Sequence, residues 1–126
     1  MGERLTYALA TIEEVDLDDL RPTILELRET HRVIQRDLNG DSLPRKLGDL
    51  AAPSLSSRIS NVVRSTWSTS HGPTTTHRQQ AHHASAGLPP ILERLSALEA
   101  SIAEIEQKLI DAGAPYVPGR LPTWPR

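Results

Sequence analysis

The chain has 126 residues, 14 lysines and arginines against 16 aspartates and glutamates, a formal net charge of −2, and neither cysteine nor phenylalanine. That length fits one domain. The near balance of charge argues against the basic surface that generic nucleic-acid binding needs, and the missing thiols exclude disulfides and thiolate metal sites. The core must be aliphatic, which suits layered helices better than a sheet sandwich, and no apolar run approaches the roughly 20 residues of a membrane span.

The N-terminal stretch MGERLTYALATIEEV is acidic by Glu13 and lacks a long apolar run, so it does not read as a signal peptide and the chain is placed in the cytoplasm by default. Leu5, Leu9 and Ile12 fit a helix face, while Leu5, Tyr7 and Leu9 fit a strand's alternation; helix is favoured for this lead-in. Leu17, Leu20, Ile24, Leu27, His31, Ile34 and Leu38 then step alternately by three and four, the a/d spacing of a coiled-coil-like helix. Asp16, Asp18 and Asp19 favour a helix start there, Pro22 fits only a first turn, and Asn39-Gly40 is a stop. The spacing predicts a helix from about 18 to 38.

Ser42 can cap a short helix holding Leu43, Leu47 and Leu50. Ser54 can cap another, with Leu55, Ile59, Val62, Val63 and Trp67 on one broad face. STSHGPTTT, 68–76, reads as a loop, with Thr74 or Thr75 as the next cap. His77, Ala81, Ala84, Leu88, Ile91, Leu95, Leu98, Ile102, Ile105 and Leu109 continue the four-three phase straight through Gly87-Leu88-Pro89-Pro90. That stretch is either a kink in one long helix or the junction of two; the unbroken phase favours the kink. Glu104 and Lys108 stand in the order of a favourable i,i+4 pair. Gly113 is a helix C-cap, and Pro115 forbids continuation.

These elements predict an all-α fold: an antiparallel helical bundle with long coiled-coil-like helices and an extended Pro-rich C-terminal strap. Residues 1–15 form the lead-in, 16–112 the bundle and 113–126 the tail. Four of the ten prolines fall in the tail, where they favour an extended path. Tyr116, Val117, Leu121 and Trp124 give it apolar contacts, so it is expected to fold back on the bundle with Trp124 as anchor. A polyproline-type ligand for another protein is the alternative.

The candidates for site chemistry are histidines. Two metal ligands on one helix face need a spacing of three or four; His77, His82 and His83 are separated by five, six and one, so metal binding there is disfavoured and no cofactor is expected. His31 and His77 both fall at seam positions, where a polar contact between them could fix register. From Leu50 through Leu92 the chain has no Asp or Glu but holds Arg58, Arg64, Arg78 and four of its five histidines, His71 among them. This reads first as a Ser/Thr-rich connection, and second as a weakly basic face for an acidic partner or anion. The carboxylate pairs Glu13-Glu14, Asp18-Asp19 and Glu104/Glu106 read as solvated faces or helix starts. No nucleophile elbow or phosphate-binding loop is present, and catalysis by this chain is not expected.

The motifs Gly72-Pro73-Thr74-Thr75-Thr76-His77 and Gly113-Ala114-Pro115-Tyr116-Val117-Pro118-Gly119-Arg120-Leu121-Pro122-Thr123-Trp124 flank the last helix. Together they resemble the C-terminal region of bacterial sortilin-like propeller proteins, BNR-repeat proteins often labelled glycosyl hydrolases. The resemblance covers roughly residues 55–124. It implies a detached C-terminal helical module and carries over no catalytic residue, because the label belongs to a strand-rich propeller that has no counterpart in this sequence. The leading expectation is a non-catalytic interaction module for a protein partner, either a propeller in cis or trans or a second copy. Trp67, Gly113, Tyr116, Arg120 and Trp124 are its structural or contact residues. The alternatives are a small His/Arg-based ligand- or metal-binding domain and a self-associating coiled coil. No nucleic-acid or membrane partner is expected.

Overall fold

The structure, a computed structural model, describes residues 1–41, 53–68 and 72–115. The short helix expected after Ser42, the histidine at 71 and the tail beyond Pro115 lie outside the described residues. Those residues form four α-helices and no strand: α1 (Gly2–Thr11), α2 (Arg21–Asn39), α3 (Leu55–Ser68) and α4 (Thr75–Asp111). The chain is an all-α bundle. It divides into two compact units, one of residues 1–32 with 95–126 and one of residues 33–94. No helix among the described residues is long and apolar enough to cross a membrane.

In the first unit α1 is a helix, but its buried face is Leu5, Ala8, Thr11 and Ile12. Leu9, expected on that face, is only half-buried. Thr11 is tolerated inside because its hydroxyl donates back to the Tyr7 carbonyl at 2.9 Å, which leaves no orphan polar atom. The turn after α1 uses Asp16 with φ +56°, a left-handed backbone that Asp adopts more readily than most residues. Asp16 therefore shapes the turn and does not start the next helix. Asp18 and Asp19 make no side-chain cap but stand in the first helical turn, where the dipole favours acidic groups, and Asp18 accepts from Arg21 at 3.2 Å, beside a 2.5 Å bond from Arg21 to Glu13. These hydrogen bonds raise Arg21 above the ordinary guanidinium range, Glu13 contributing more than Asp18.

A 3-10 turn over Asp18–Leu20 leads into α2, where Pro22 occupies the second position and no backbone donor is needed. Leu20 and Ile24 are buried, with Leu17, Leu27 and His31 half-buried. A Cβ added to Gly2 would lie 3.4 Å from the His31 ring, so α1 begins where the first unit's part of α2 ends and the two run antiparallel. His31 packs on α1, and His77 takes part in the cap of α4.

α4 settles the question posed by its prolines: it is one helix of 37 residues with Pro89 and Pro90 inside. Each proline removes one i→i−4 bond, and the apolar phase on either side holds the helix together. In the first unit Leu98, Ile102, Ile105 and Leu109 form its buried face. Its end is a Schellman cap: Gly113 N–H donates to Ile110 O at 2.9 Å, Ala114 N–H donates to Leu109 O at 2.9 Å, and Gly113 has φ +84°. The i,i+4 side-chain pair in the last turns is Gln107 with Asp111, at 2.8 Å, and not Glu104 with Lys108.

In the second unit α2 ends at Gly40, whose φ of +81° and N–H bond to Arg36 O make the expected stop. Ser54 caps α3 by accepting from Ser57 N–H at 3.2 Å. Ser56 ties α3 to the end of α2 through Leu38 O and Asn39 Oδ1, and Arg94 pairs with Asp37 at 2.6 Å. Gly87 lets α3 approach α4: a Cβ there would stand 3.1 Å from a Leu55 methyl. Ile34, Ala84 and Ile91 are the buried apolar side chains of this unit among the described residues.

Candidate functional site

The strongest polar constellation lies in the first unit and was not legible as a site. Arg4 grips Glu106 with two parallel bonds, Nε to Oε1 at 2.5 Å and Nη2 to Oε2 at 2.7 Å, and reaches Glu99 through Nη1 at 2.6 Å. Glu106 is 5 % exposed, which corrects its assignment to a solvated face. Glu104 is the exposed member of that pair. Hydrogen bonds to Glu106 and then Glu99 hold Arg4 above the ordinary guanidinium range. A fork-to-carboxylate pair of this kind fixes geometry strongly. With each of its three guanidinium nitrogens bonded to a carboxylate of α4, Arg4 joins α1 to α4.

The second unit carries the exposed chemistry. The broad face predicted for α3 is not covered among the described residues. Leu55, Ile59 and Val62 are half-buried, while Val63 is 51 % and Trp67 89 % exposed. Trp67 is therefore not a packing residue. It stands four residues after Val63, so the two project from the same side of α3.

Beside this face, α3 and α4 enclose an open cleft of approximately 400 Å3 lined by Asn61, Arg64, Ser65, Thr76, His77 and Gln80. None of its described lining residues carries a carboxylate. Arg58 closes one flank by donating to Gln80 at 3.2 Å and to Pro53 O at 3.2 Å. His77 enters the cleft through capping: its N–H donates to Thr74 Oγ1 at 3.3 Å, and Thr74 N–H donates to its Nδ1 at 3.4 Å. This is a capping box with imidazole in place of the usual carboxylate. His82 and His83 lie on exposed turns with ring centroids 6.3 Å apart, and Arg78 is exposed. Among the described residues no three metal-ligating side chains converge.

Gly113 occupies the left-handed position of the α4 cap, as expected. Tyr116, Arg120 and Trp124 lie outside the described residues. The root of their segment is fixed: Tyr7 Oη donates to Pro115 O at 2.6 Å. The described parts of the two family-like motifs thus turn out to be the two caps of α4, Thr74/His77 at one end and Gly113-Ala114-Pro115 at the other. No family model matches the chain, and no match is found among curated proteins or solved structures.

Proposed function

We propose that the chain is a non-catalytic helical module that binds another protein through the exposed face of α3. The observation that carries this reading is Trp67, 89 % exposed, with Val63 half-exposed one turn away. An isolated surface leucine is ordinary, but an exposed tryptophan beside a second apolar side chain is the composition of an interface anchor. The surrounding stretch, Leu50 to Leu92, has no acidic residue and three arginines, so the partner surface that fits is acidic around an apolar pocket. A propeller domain, in cis or trans, is the partner suggested by the resemblance of the two capping motifs.

Light scattering of the chain alone, and mixed with a sortilin-like propeller domain, tests this. The expected result is a complex that Trp67→Ala abolishes. A monomer that binds no propeller, or a complex indifferent to Trp67→Ala, sinks the reading. The acid-free cleft with Arg64 and His77 favours a second reading, a small anionic ligand. Titration with inorganic phosphate checks it, and equal loss of binding in Arg64→Ala and His77→Ala is its signature.

A further inference from the structure

The first turn of α4 is closed by a side chain that changes charge near neutral pH. Thr74 and His77 bond reciprocally: Thr74 Oγ1 accepts from His77 N–H at 3.3 Å, and His77 Nδ1 accepts from Thr74 N–H at 3.4 Å. A Glu or Gln side chain usually fills the second role, and either accepts a hydrogen bond throughout the neutral range. An imidazole nitrogen accepts only while it carries no proton. We propose that His77 is a pH-sensitive latch. In its neutral form it closes the first turn of α4, and in its protonated form it releases that turn together with the cleft wall that Thr76 and His77 build.

Three features act in the same direction. In the imidazolium both ring nitrogens are donors, so Nδ1–H would face Thr74 N–H and the bond would become an opposition of two donors. His77 also lies in the first helical turn, where the dipole disfavours positive charge, and that turn holds no acidic residue. The charged groups around it are cations as well. Arg64 of α3 lines the same cleft, Arg58 of α3 flanks it through Gln80, and Arg78 follows on α4. None of the described lining residues carries a carboxylate, there is no Asp or Glu from Leu50 through Leu92, and Asp37 of α2 is paired with Arg94. The sign follows: the latch stabilises the turn above the ordinary imidazole range, about pH 6.5, and is lost as pH falls through it. The cleft beside the exposed face of α3 thereby responds to acid without any ligand.

The test is nuclear magnetic resonance of the full labelled chain, reading the Cα shifts of residues 75–78 at about pH 7.5 and about pH 5. The turn should be helical at the higher pH. Its closed-to-frayed ratio should fall roughly two- to thirtyfold at the lower, the range of a single N-cap interaction, while residues 98–109 keep their shifts. His77→Gln and His77→Glu supply acceptors that survive at both pH values, and each should hold the turn closed throughout. The double change His82→Gln, His83→Gln should leave the response in place. A first turn indifferent to pH in the parent chain overturns the proposal. So does a response that persists in His77→Gln, or one that vanishes in the His82→Gln, His83→Gln chain. Fraying of both His77→Gln and His77→Glu at the higher pH also overturns it, because the bond from Thr74 N–H would then not be what closes the turn. No partner enters the measurement, so a failure of partner binding at Trp67 leaves its outcome unaffected.

Discussion

The two compact units use the same aliphatic alphabet and reach different packing. The first holds Leu5, Ile12, Ile24, Ile102 and Leu109, all less than 2 % exposed, together with the part-buried pair of Arg4 with the buried Glu106. The second buries Ile34, Ala84 and Ile91 among its described residues and leaves Val63, Trp67 and Leu92 half-exposed or more. It also contains the stretch where α4 lacks two backbone donors, at Pro89 and Pro90. The difference teaches that continuous helices do not imply uniform packing: each unit has a long-range ion pair, Arg4–Glu106 in the first and Arg94–Asp37 in the second, but the fully buried aliphatic side chains among the described residues lie in the first. Among the described residues the large apolar side chains that are more than half exposed lie in the second.

The sharpest way to break this contrast is at Arg4. Arg4→Met leaves Glu106 buried without its partner and should cost about 3–5 kcal/mol. The double change Arg4→Met, Glu106→Leu should recover most of that loss, because the pair is worth little against well-packed apolar replacements. Urea unfolding of the single and double variants measures both. Arg4 itself adds no pH dependence over the working range. Its raised pKa means that its contribution is fully present below the ordinary guanidinium value and is lost only as pH rises past the folded-state value.

Matched truncations sharpen the comparison next. Leu109→Ala in the first unit should cost about 2–5 kcal/mol. Ile59→Ala on the half-buried face of α3 should cost about 1 kcal/mol, since less area returns to water. Equal losses in thermal unfolding would erase the distinction. At the ends of α4, Thr74→Ala should cost about 0.5–2 kcal/mol through its cap bond to His77 N–H. The smallest effect on stability belongs to Trp67→Ala, within about 0.5 kcal/mol, alongside loss of partner binding.

Much of this architecture is written locally. The a/d steps from Leu17 to Leu38, the Asn39-Gly40 stop, the Ser54 and Thr74 caps and the Gly113-Pro115 end depend on neighbours a few residues apart, and the helix through Gly87–Pro90 follows from unbroken phase. What sequence reasoning missed depends on distant neighbours. Glu106 reads as solvated beside Glu104 because its partner Arg4 lies 102 residues away. A signal was nevertheless present: Ile102, Glu106 and Leu109 step by four and three, so Glu106 shares the buried stripe. Leu5, Ala8 and Ile12 step by three and four, and Ala8 takes the buried position that the larger Leu9 leaves. Trp67 shows the converse limit. An apolar face records what a helix can bury and leaves open what will cover it. The cleft joining Arg64 to His77 could not be foreseen, since it depends on how closely α3 approaches α4 over Gly87.

Native-state hydrogen exchange tests the central claim most directly, because it reads opening free energy amide by amide. The amides of α1 and of Leu98–Leu109 should exchange only through global unfolding, at the full stability of the chain. Those of α3 should exchange through local opening at distinctly lower free energy, and should rise toward the global value when the partner is bound. Uniform protection across α1, α3 and the end of α4 in the isolated chain would contradict the contrast between a tightly packed first unit and a less buried second.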